Sequence, residues 1–203
     1  HIITDSRNYI HGENHLFIAL TTAKRDGHQF IKEAYDKGVR NFLISKKEMP
    51  ELSGANFILV KDCLNALQQW ACYHRSKFNI PVIAITGSNG KTIVKEWLYH
   101  FLRKKNNIIR SPKSYNSQLG VALSLLMIKK EHDIAIIEAG ISKPGDMISL
   151  KKMINPTHVI LTNLGTAHSE NFTSIEEHHN EKLLLLKDVD YYVPASFFHD
   201  IPF

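Results

Sequence analysis

Hydrophobic and polar positions follow different patterns in the two parts of the chain. From residue 82 onward, short continuous apolar runs alternate with longer stretches in which apolar residues recur every three or four positions. The short runs predict buried strands, and the longer periodic stretches predict amphipathic helices. Strands that alternate with helices predict a parallel sheet covered on both faces. The predicted strands are 82–86, 107–110, 133–138, 158–163 and 189–193, with helices at about 91–104, 117–129, 145–154 and 174–187.

The first part of the chain predicts a smaller domain of mixed α/β type. Its predicted strands are 15–21, 39–45 and 56–60, and its predicted helices are 29–37 and 62–78. The second helix must end before Pro81, because a proline disfavours helical backbone in the residue that precedes it. We therefore expect a domain boundary at Asn79-Ile80-Pro81, with one domain over residues 1–79 and the other over residues 80–203.

Polar groups follow four of the predicted strands. In open α/β sheets, ligands bind beyond the carboxyl ends of the strands. If the strands are parallel, these ends meet at one edge, so polar residues that are distant in sequence share one site. The groups are Thr86–Thr92, Ser114–Ser117, Glu138, and Asn163 with His168.

The loop Gly87-Ser88-Asn89-Gly90-Lys91-Thr92 lies between a predicted strand and a predicted helix. This arrangement directs backbone N–H groups and a helix N-terminus at an anion, and glycines allow phosphate to approach closely. Lys91 would reach the outer phosphates, and the Thr92 hydroxyl would bind Mg²⁺. The first glycine of the usual phosphate-loop pattern would fall on Ile85, so only the shorter G-x-x-G-K-T pattern remains. Its strand–loop–helix context favours ATP with magnesium over a simple glycine turn capped by a threonine.

The predicted fold class is therefore α/β: a small N-terminal mixed α/β domain followed by a mostly parallel-sheet P-loop ATPase domain. We expect this second domain to be incomplete, because the chain stops at Phe203 without a closing helix. The chain also begins at His1 and not at methionine, which favours a fragment of a longer protein.

Two further strand-end residues are candidates for the same site. Glu138 ends an apolar strand. A carboxylate at this position has three alternative roles: it binds magnesium, caps a helix or forms a salt bridge. His168 follows the strand at 158–163, although a lone histidine is more often an ordinary loop residue.

The helix predicted over residues 174–187 carries three polar residues of interest. Lys182 shares a face with Ile175 and Leu186, so it either extends its ammonium to solvent or is a buried lysine with a chemical task. The sequence leaves both readings open. His178 and His179 diverge because they are adjacent on a helix, so we predict ordinary surface or edge packing and no zinc cluster.

Composition narrows the class of protein. The chain has 203 residues, 43% of them hydrophobic, which is enough for a packed core. Its formal net charge of +5 is not gathered into one block. This charge fits a phosphorylated ligand better than nucleic acid, and an ordinary solvated surface explains it as well. No run of about 18 apolar residues and no signal peptide are visible, so we expect no membrane span. Cys63 and Cys72 point to opposite faces of one predicted helix, which fits a reducing cytoplasm.

Four segments together resemble the Mur ligases, which build the peptide of bacterial peptidoglycan. The first is similar to the family's phosphate loop and the second to its metal-binding glutamate segment. The third resembles its asparagine-to-histidine segment, and the fourth falls where the family carries a carbamylated lysine. In chain order these segments are Ile85–Thr92, Ile137-Glu138-Ala139-Gly140, Thr162–His168 and Glu181-Lys182.

Other segments resemble one branch of the family, which adds D-alanyl-D-alanine to UDP-N-acetylmuramoyl-tripeptide. Two segments, Thr92–Leu98 and Glu170-Asn171-Phe172, are similar to the variety in which this ligase is fused to an alanine racemase. Ile93 stands where the family commonly has a second threonine, and Ser117 stands where it has an asparagine. The segments that carry the resemblance to the branch are Thr4-Asp5-Ser6-Arg7, Leu16–Leu20, Asp26–Phe30 and Ser114-Tyr115-Asn116-Ser117.

The resemblance implies a cytoplasmic bacterial enzyme that activates a carboxylate as an acyl phosphate with ATP. It implies two Mg²⁺ ions, one held by Thr92 and Glu138 and the other by His168 and a carbamylated Lys182. Lys91, His168 and Lys182 would then be the catalytic residues. Ser6 and Arg7 would bind the UDP part of the substrate, and Asn116 and Ser117 its remainder. The family's third domain, which brings groups to ATP and to the incoming amine, would be missing from this chain.

Two other functions remain open at this stage. A folylpolyglutamate synthetase shares the ATP-binding domain, but the segments Asp5-Ser6-Arg7 and Asp26-Gly27-His28 resemble a UDP-sugar-binding domain and disfavour it. The chain could also bind nucleotide or the UDP-linked substrate without turnover.

Overall fold

The computed structural model describes residues 1–5, 15–23, 25–165, 170–189 and 191–193. The chain divides into two compact units, His1–Leu67 and Gln68–Phe203. This division falls within the helix α2 (Cys63–Arg75), ahead of the sequence boundary at residues 79 and 80. The sequence boundary was drawn between two expected functions and not between two sets of contacts, so it stays a prediction.

The first unit contains a parallel sheet of four strands in the order β1-β2-β5-β6. Apolar side chains on this sheet and on the first helix form its core, among them Phe17, Ile31 and Phe42. Strand β1 and the antiparallel pair β3–β4 are two residues long, too short to produce a visible alternation in the sequence. The elements are β1 (Ile2–Ile3), β2 (Leu16–Ile18), β3 (Thr21–Thr22), β4 (Arg25–Asp26), α1 (Ile31–Asp36), β5 (Asn41–Ile44) and β6 (Asn56–Leu59).

The segment Asp26-Gly27-His28 connects several parts of the first unit. Asp26 Oδ1 accepts hydrogen bonds from the His28 backbone N–H at 3.0 Å and from His28 Nδ1 at 2.6 Å. His28 Nε2 accepts from the Ser45 N–H at 3.0 Å, so Nδ1 carries the ring proton. The Lys46 ammonium lies 2.5 Å from Asp26 Oδ2 and holds the pKa of that carboxyl well below its usual range. This segment therefore has a structural role that accounts for its residue types.

The second unit is built on a parallel sheet of five strands in the order β11-β10-β7-β9-β8. All five strands and the helices between them were predicted, and the α/β fold class with a parallel sheet is confirmed. The last helix ends early and continues as a 3-10 turn over Leu184–Leu186. The elements are β7 (Val82–Thr86), α3 (Lys91–Leu102), β8 (Ile108–Arg110), α4 (Gln118–Leu125), β9 (Ile134–Glu138), α5 (Asp146–Ile154), β10 (His158–Leu161), α6 (Ile175–Leu183) and β11 (Tyr191–Val193).

The register of the sheet brings the carboxyl ends of its central strands together. Ile85 of β7 pairs with Glu138 of β9, and Thr86 of β7 pairs with Leu161 of β10. The loop after β7, Glu138 and the segment after β10 therefore lie at one edge, as predicted. In the part of the chain that the structure describes, no helix has the length and apolar character needed to cross a bilayer. Both cysteines are unbridged.

Candidate active site

The loop after β7 requires glycine at its first position. Gly87 has φ +138° and Gly90 has φ +81°, both in the region that L side chains rarely adopt. A Cβ on Gly87 would lie 2.1 Å from the Thr162 hydroxyl and 3.0 Å from the Asn163 nitrogen. No side chain fits in that space, so the loop lies directly on the backbone that follows β10.

Hydrogen bonds hold the loop in this shape. The Ser88 N–H donates to the Asn163 carbonyl at 3.0 Å, and the Asn89 N–H donates to Asn163 Oδ1 at 2.8 Å. Thr162 Oγ1 donates to the Asn89 carbonyl at 2.6 Å. Gly90 then begins α3, and no side chain among the described residues caps this helix. A fixed loop that leads into an uncapped helix N-terminus is a geometry suited to phosphate.

Lys91 places a partly desolvated ammonium beside the loop. Its Nζ donates to the carbonyls of Gly87 at 2.6 Å and Ser88 at 3.3 Å. Burial lowers the pKa of this ammonium, and the charge of Glu138 partly opposes the shift. A partly desolvated cation that donates to neutral carbonyls gains from an anionic acceptor, because opposite charges attract more strongly where water is partly excluded.

Thr92 and Glu138 form a pair of oxygen ligands. Glu138 is fully buried, and Thr92 Oγ1 donates to its Oε2 at 3.1 Å. Nearby, the Thr86 hydroxyl is buried and has no hydrogen-bond partner among the described residues, as expected for a group that meets a water or ligand. Within those residues, no three His, Cys, Asp or Glu side chains gather in a metal-binding cluster. One carboxylate and one hydroxyl fit Mg²⁺, which binds few protein ligands and takes the rest from water and phosphates.

Lys95 is a site residue that the sequence analysis missed. It lies on α3 one turn after Thr92 and is fully buried, with Nζ 2.8 Å from Glu138 Oε1. A lysine flanked by Val94 and Glu96 on an amphipathic helix gives no signal of burial, because lysines usually extend to solvent. Only the position of Glu138 at the end of the neighbouring strand explains it.

Lys182 is buried, so the solvent-exposed alternative is wrong. Its side chain lies on α6 and is 3% exposed, with Nζ 3.2 Å from Ser88 Oγ and 2.6 Å from His178 Nε2. Burial, and secondarily the charge of Lys91, lowers the pKa of Lys182 to about 8. The sequence predicted that Ile175, Lys182 and Leu186 share one face of this helix. That face is not buried as a whole, since Ile175 is 49% exposed.

His178 corrects a second expectation. We predicted surface or edge packing, but the ring is fully buried against Lys182 and Phe172. The cause is the docking of α6, in which Glu181 Oε1 accepts a hydrogen bond from the Met147 N–H at the start of α5. This contact turns the face with His178 and Lys182 toward the phosphate loop. His179 is partly buried and lies 3.3 Å from the Gly165 carbonyl.

The segment between β8 and α4 lies beside Glu138. The Asn116 carbonyl accepts from the Gly140 N–H at 2.8 Å, and Ser114 Oγ lies 3.5 Å from Thr92 Oγ1. Ser117 Oγ caps α4 by accepting from the Gly120 N–H at 3.2 Å. The structure thus gives Ser117 a structural role, and the substrate contacts of Asn116 and Ser117 stay predictions.

Three predicted site residues, Ser6, Arg7 and His168, lie outside the described residues. Their roles in substrate and metal binding stay predictions. The described part of the site therefore consists of the phosphate loop with Lys91, the Thr92–Glu138 pair with Lys95, and the buried Lys182.

Comparison with known proteins gives a consistent picture. A family model of the Mur ligase middle domain matches residues 85–201. The UDP-N-acetylmuramoyl-tripeptide–D-alanyl-D-alanine ligase of Buchnera aphidicola is 37% identical over 174 residues, covering 86% of this chain and 37% of that protein. The enzyme of the same name from Bacillus subtilis is 31% identical, over 86% of this chain and 38% of the relative.

Solved structures agree with the sequence relatives. MurF from Acinetobacter baumannii superposes with a TM-score of 0.84 and 29% identity, over 93% of this chain and 41% of that one. MurF ligase from Thermotoga maritima, solved in complex with ADP, has a TM-score of 0.80 and 30% identity, over 93% and 43%. The chain spans about two fifths of the length of these proteins. The matched region contains the phosphate loop, Glu138 and Lys182 in one continuous stretch, and the chain therefore belongs to the Mur ligase family.

Proposed function

We propose that this chain is part of an ATP-dependent ligase that adds D-alanyl-D-alanine to UDP-N-acetylmuramoyl-tripeptide. The observation that carries the proposal is the placement of Lys91 and of the Thr92–Glu138 pair around one fixed phosphate loop. The relatives that bear this activity in their names support the choice of substrates. The MurF structure with ADP supports ATP as the nucleotide.

The reaction requires two substitutions. A carboxylate oxygen of the tripeptide attacks the γ-phosphorus of ATP, the bond to the ADP oxygen breaks, and an acyl phosphate forms. The amino group of D-alanyl-D-alanine then attacks the acyl carbon, phosphate leaves with the bonding electrons, and the nitrogen loses a proton. Negative charge accumulates around the γ-phosphate in the first step, and the Lys91 ammonium and the α3 N-terminus would stabilise it. Mg²⁺ held by Thr92 and Glu138 would supply further neutralisation of the phosphate oxygens.

Binding of the UDP-linked substrate by this chain is part of the proposal. Ser6 and Arg7 are assigned to the UDP part, because a guanidinium suits phosphate or a planar ring. Asn116 and Ser117 are assigned to the remainder, supported by the position of Asn116 beside the strand that carries Glu138. A cytoplasmic location and a fused alanine racemase stay predictions.

Lys182 is proposed to react with carbon dioxide. An uncharged amine attacks the carbon of CO₂, a C–N bond forms while the electrons of one C=O π bond move to oxygen, and the nitrogen loses a proton to a base. The His178 ring is the candidate base, since its Nε2 lies 2.6 Å from Lys182 Nζ. Because burial lowers the pKa of Lys182 to about 8, a larger fraction of its amine is uncharged near neutral pH than in a lysine of ordinary pKa. The resulting carbamate is an anion that would hold the second Mg²⁺ together with His168.

The carbamate is testable by ¹³C NMR in buffer that contains ¹³C-bicarbonate. We expect one protein carbamate resonance in the native chain and none in Lys182→Met. Lys187→Met removes an exposed lysine one turn further along and should retain the resonance. An identical carbamate signal in native protein and Lys182→Met would contradict the assignment.

The ligase function is tested by ATP hydrolysis in the full-length protein to which this chain belongs. We expect phosphate release only when UDP-N-acetylmuramoyl-tripeptide is present, and amide product only when D-alanyl-D-alanine is added as well. Turnover with a folate and glutamate would favour the folylpolyglutamate synthetase alternative. Saturable binding of ATP and of the UDP-substrate without phosphate release would favour the binding-only alternative.

A further inference from the structure

The Lys95 ammonium is enclosed by oxygen atoms. Its Nζ donates to the carbonyls of Ser111, at 2.8 Å, and Lys113, and it lies 2.8 Å from Glu138 Oε1. Glu96 Oε1 lies 3.3 Å away on the rim. An ammonium has three N–H donors. The two carbonyls accept hydrogen bonds from two of these donors, Glu138 Oε1 lies at ion-pair distance, and the side chain is fully buried. Lys95 is therefore fixed in place.

This fixed ammonium gives the two carboxylate oxygens of Glu138 different neighbours. Oε1 faces Lys95 at 2.8 Å, whereas Oε2 faces Thr92 Oγ1 at 3.1 Å. The backbone that carries this side chain is also fixed, because the Glu138 N–H donates to Ser111 Oγ at 3.2 Å. A cation beside Thr92 therefore meets Oε2, while Oε1 stays bound to the lysine.

One-oxygen coordination favours one cation over another. Mg²⁺ requires near-octahedral geometry at short distances, to which a carboxylate contributes a single oxygen. Ca²⁺ is larger, takes six to eight oxygens and often binds both oxygens of a carboxylate. We propose that Lys95 is a positioning residue that confines Glu138 to one-oxygen coordination and thereby makes this site select Mg²⁺ over Ca²⁺. The inference rests on the proposed function, in which Thr92 and Glu138 hold a metal ion beside the nucleotide.

The selectivity can be measured without catalysis. Mn²⁺ bound to the protein with ADP is followed by electron paramagnetic resonance, and displacement by Mg²⁺ or Ca²⁺ gives a dissociation constant for each ion. We expect the native protein to prefer Mg²⁺ over Ca²⁺ by a larger ratio than ADP alone does in the same buffer. In Lys95→Met we expect this ratio to fall by about tenfold, because Glu138 can then offer both oxygens.

Two further variants separate positioning from a general structural role. Lys95→Gln keeps an N–H donor for Glu138 Oε1 and should retain part of the selectivity. Lys104→Met is the control at an exposed position after α3 and should retain all of it. Loss of the positive charge alone strengthens binding of both dications equally. The ratio of the Mg²⁺ and Ca²⁺ dissociation constants therefore reports the geometry of the carboxylate and not the charge. Both constants changing by one common factor in Lys95→Met would overturn the inference.

The native protein decides the question even if the variants fail to fold. A Mg²⁺-to-Ca²⁺ ratio equal to that of ADP alone would overturn the inference, and a larger ratio would support it. Absence of any protein-dependent Mn²⁺ binding would instead remove the proposed metal site, and the inference with it. The two failures are therefore distinguishable.

Discussion

Replacement of Lys91 with alanine is expected to lower the affinity for magnesium-bound ATP by at least about 100-fold. The ammonium is partly desolvated and donates only to the carbonyls of Gly87 and Ser88 among the contacts described. Hydrogen bonds to charged groups contribute about 1.5–3 kcal/mol each, and two such bonds to phosphate oxygens give the expected loss. Isothermal titration calorimetry with ATP and excess Mg²⁺ measures it directly.

A matched control for this prediction is available near the same helix. Lys104→Ala removes one positive charge at an exposed position just beyond the end of α3 and is expected to leave the affinity within about twofold, because exposed charges at this distance are screened. If the calorimetric affinity of Lys91→Ala equals that of the native protein, the assignment of the loop to phosphate is wrong. If both variants weaken binding equally, the effect is one of net charge and not of the Lys91 position.

The part of this site that could be predicted consists of residues whose structure is determined by their neighbours in the sequence. The loop Gly87–Thr92 stands between a continuous apolar run and a periodic one, so its residues, its backbone and its place at the sheet edge follow from neighbours in the chain. The same holds for Glu138, because it ends an apolar run. Parallel strands then bring these two segments together without further information.

The burial of lysines could not be predicted in this way. On α3 the apolar residues Ile93 and Trp97 are 58% and 54% exposed, whereas Lys95 between them is fully buried. If apolar residues alone determined the buried face, Ile93 and Trp97 would be buried and Lys95 would be exposed. The helix buries its lysine because the Glu138 carboxylate at the end of β9 is itself fully buried and needs a counter-charge.

Lys182 and His178 illustrate the same limit on α6. The face of this helix that packs against Ser88 is polar, and Ile175 remains about half exposed. Its orientation follows from the contact of Glu181 with the start of α5, which joins residues 34 positions apart. Hydrophobic periodicity carries no information about such a contact. Functional helices therefore depart from amphipathic patterning where they present charged groups to a buried site.

The buried pair of Lys95 and Glu138 is expected to dominate the stability of the second unit. Replacing Glu138 with leucine leaves the Lys95 ammonium enclosed without a full counter-charge, and replacing Lys95 with methionine leaves the carboxylate in the same condition. Removal of one partner of a buried ion pair destabilises by about 3–5 kcal/mol, mainly because the other charge stays buried. We expect each single variant to show a loss of this size in urea unfolding followed by circular dichroism. Hydrogen exchange of the β9 amides localises the loss to the sheet.

The double variant Lys95→Met with Glu138→Leu distinguishes charge compensation from simple packing. With both charges gone, no uncompensated ion remains, so its loss of stability should be at least about 2 kcal/mol smaller than the sum of the two single losses. The exposed pair Lys129–Glu131, with Nζ and Oε1 3.7 Å apart, is the control, and Glu131→Ala should change stability by less than about 1 kcal/mol. Strictly additive losses at Lys95 and Glu138 would show that the two side chains contribute separately through packing. A positive coupling of the expected size would establish that the carboxylate proposed to bind metal is balanced by the charge of a buried lysine that the sequence pattern did not reveal.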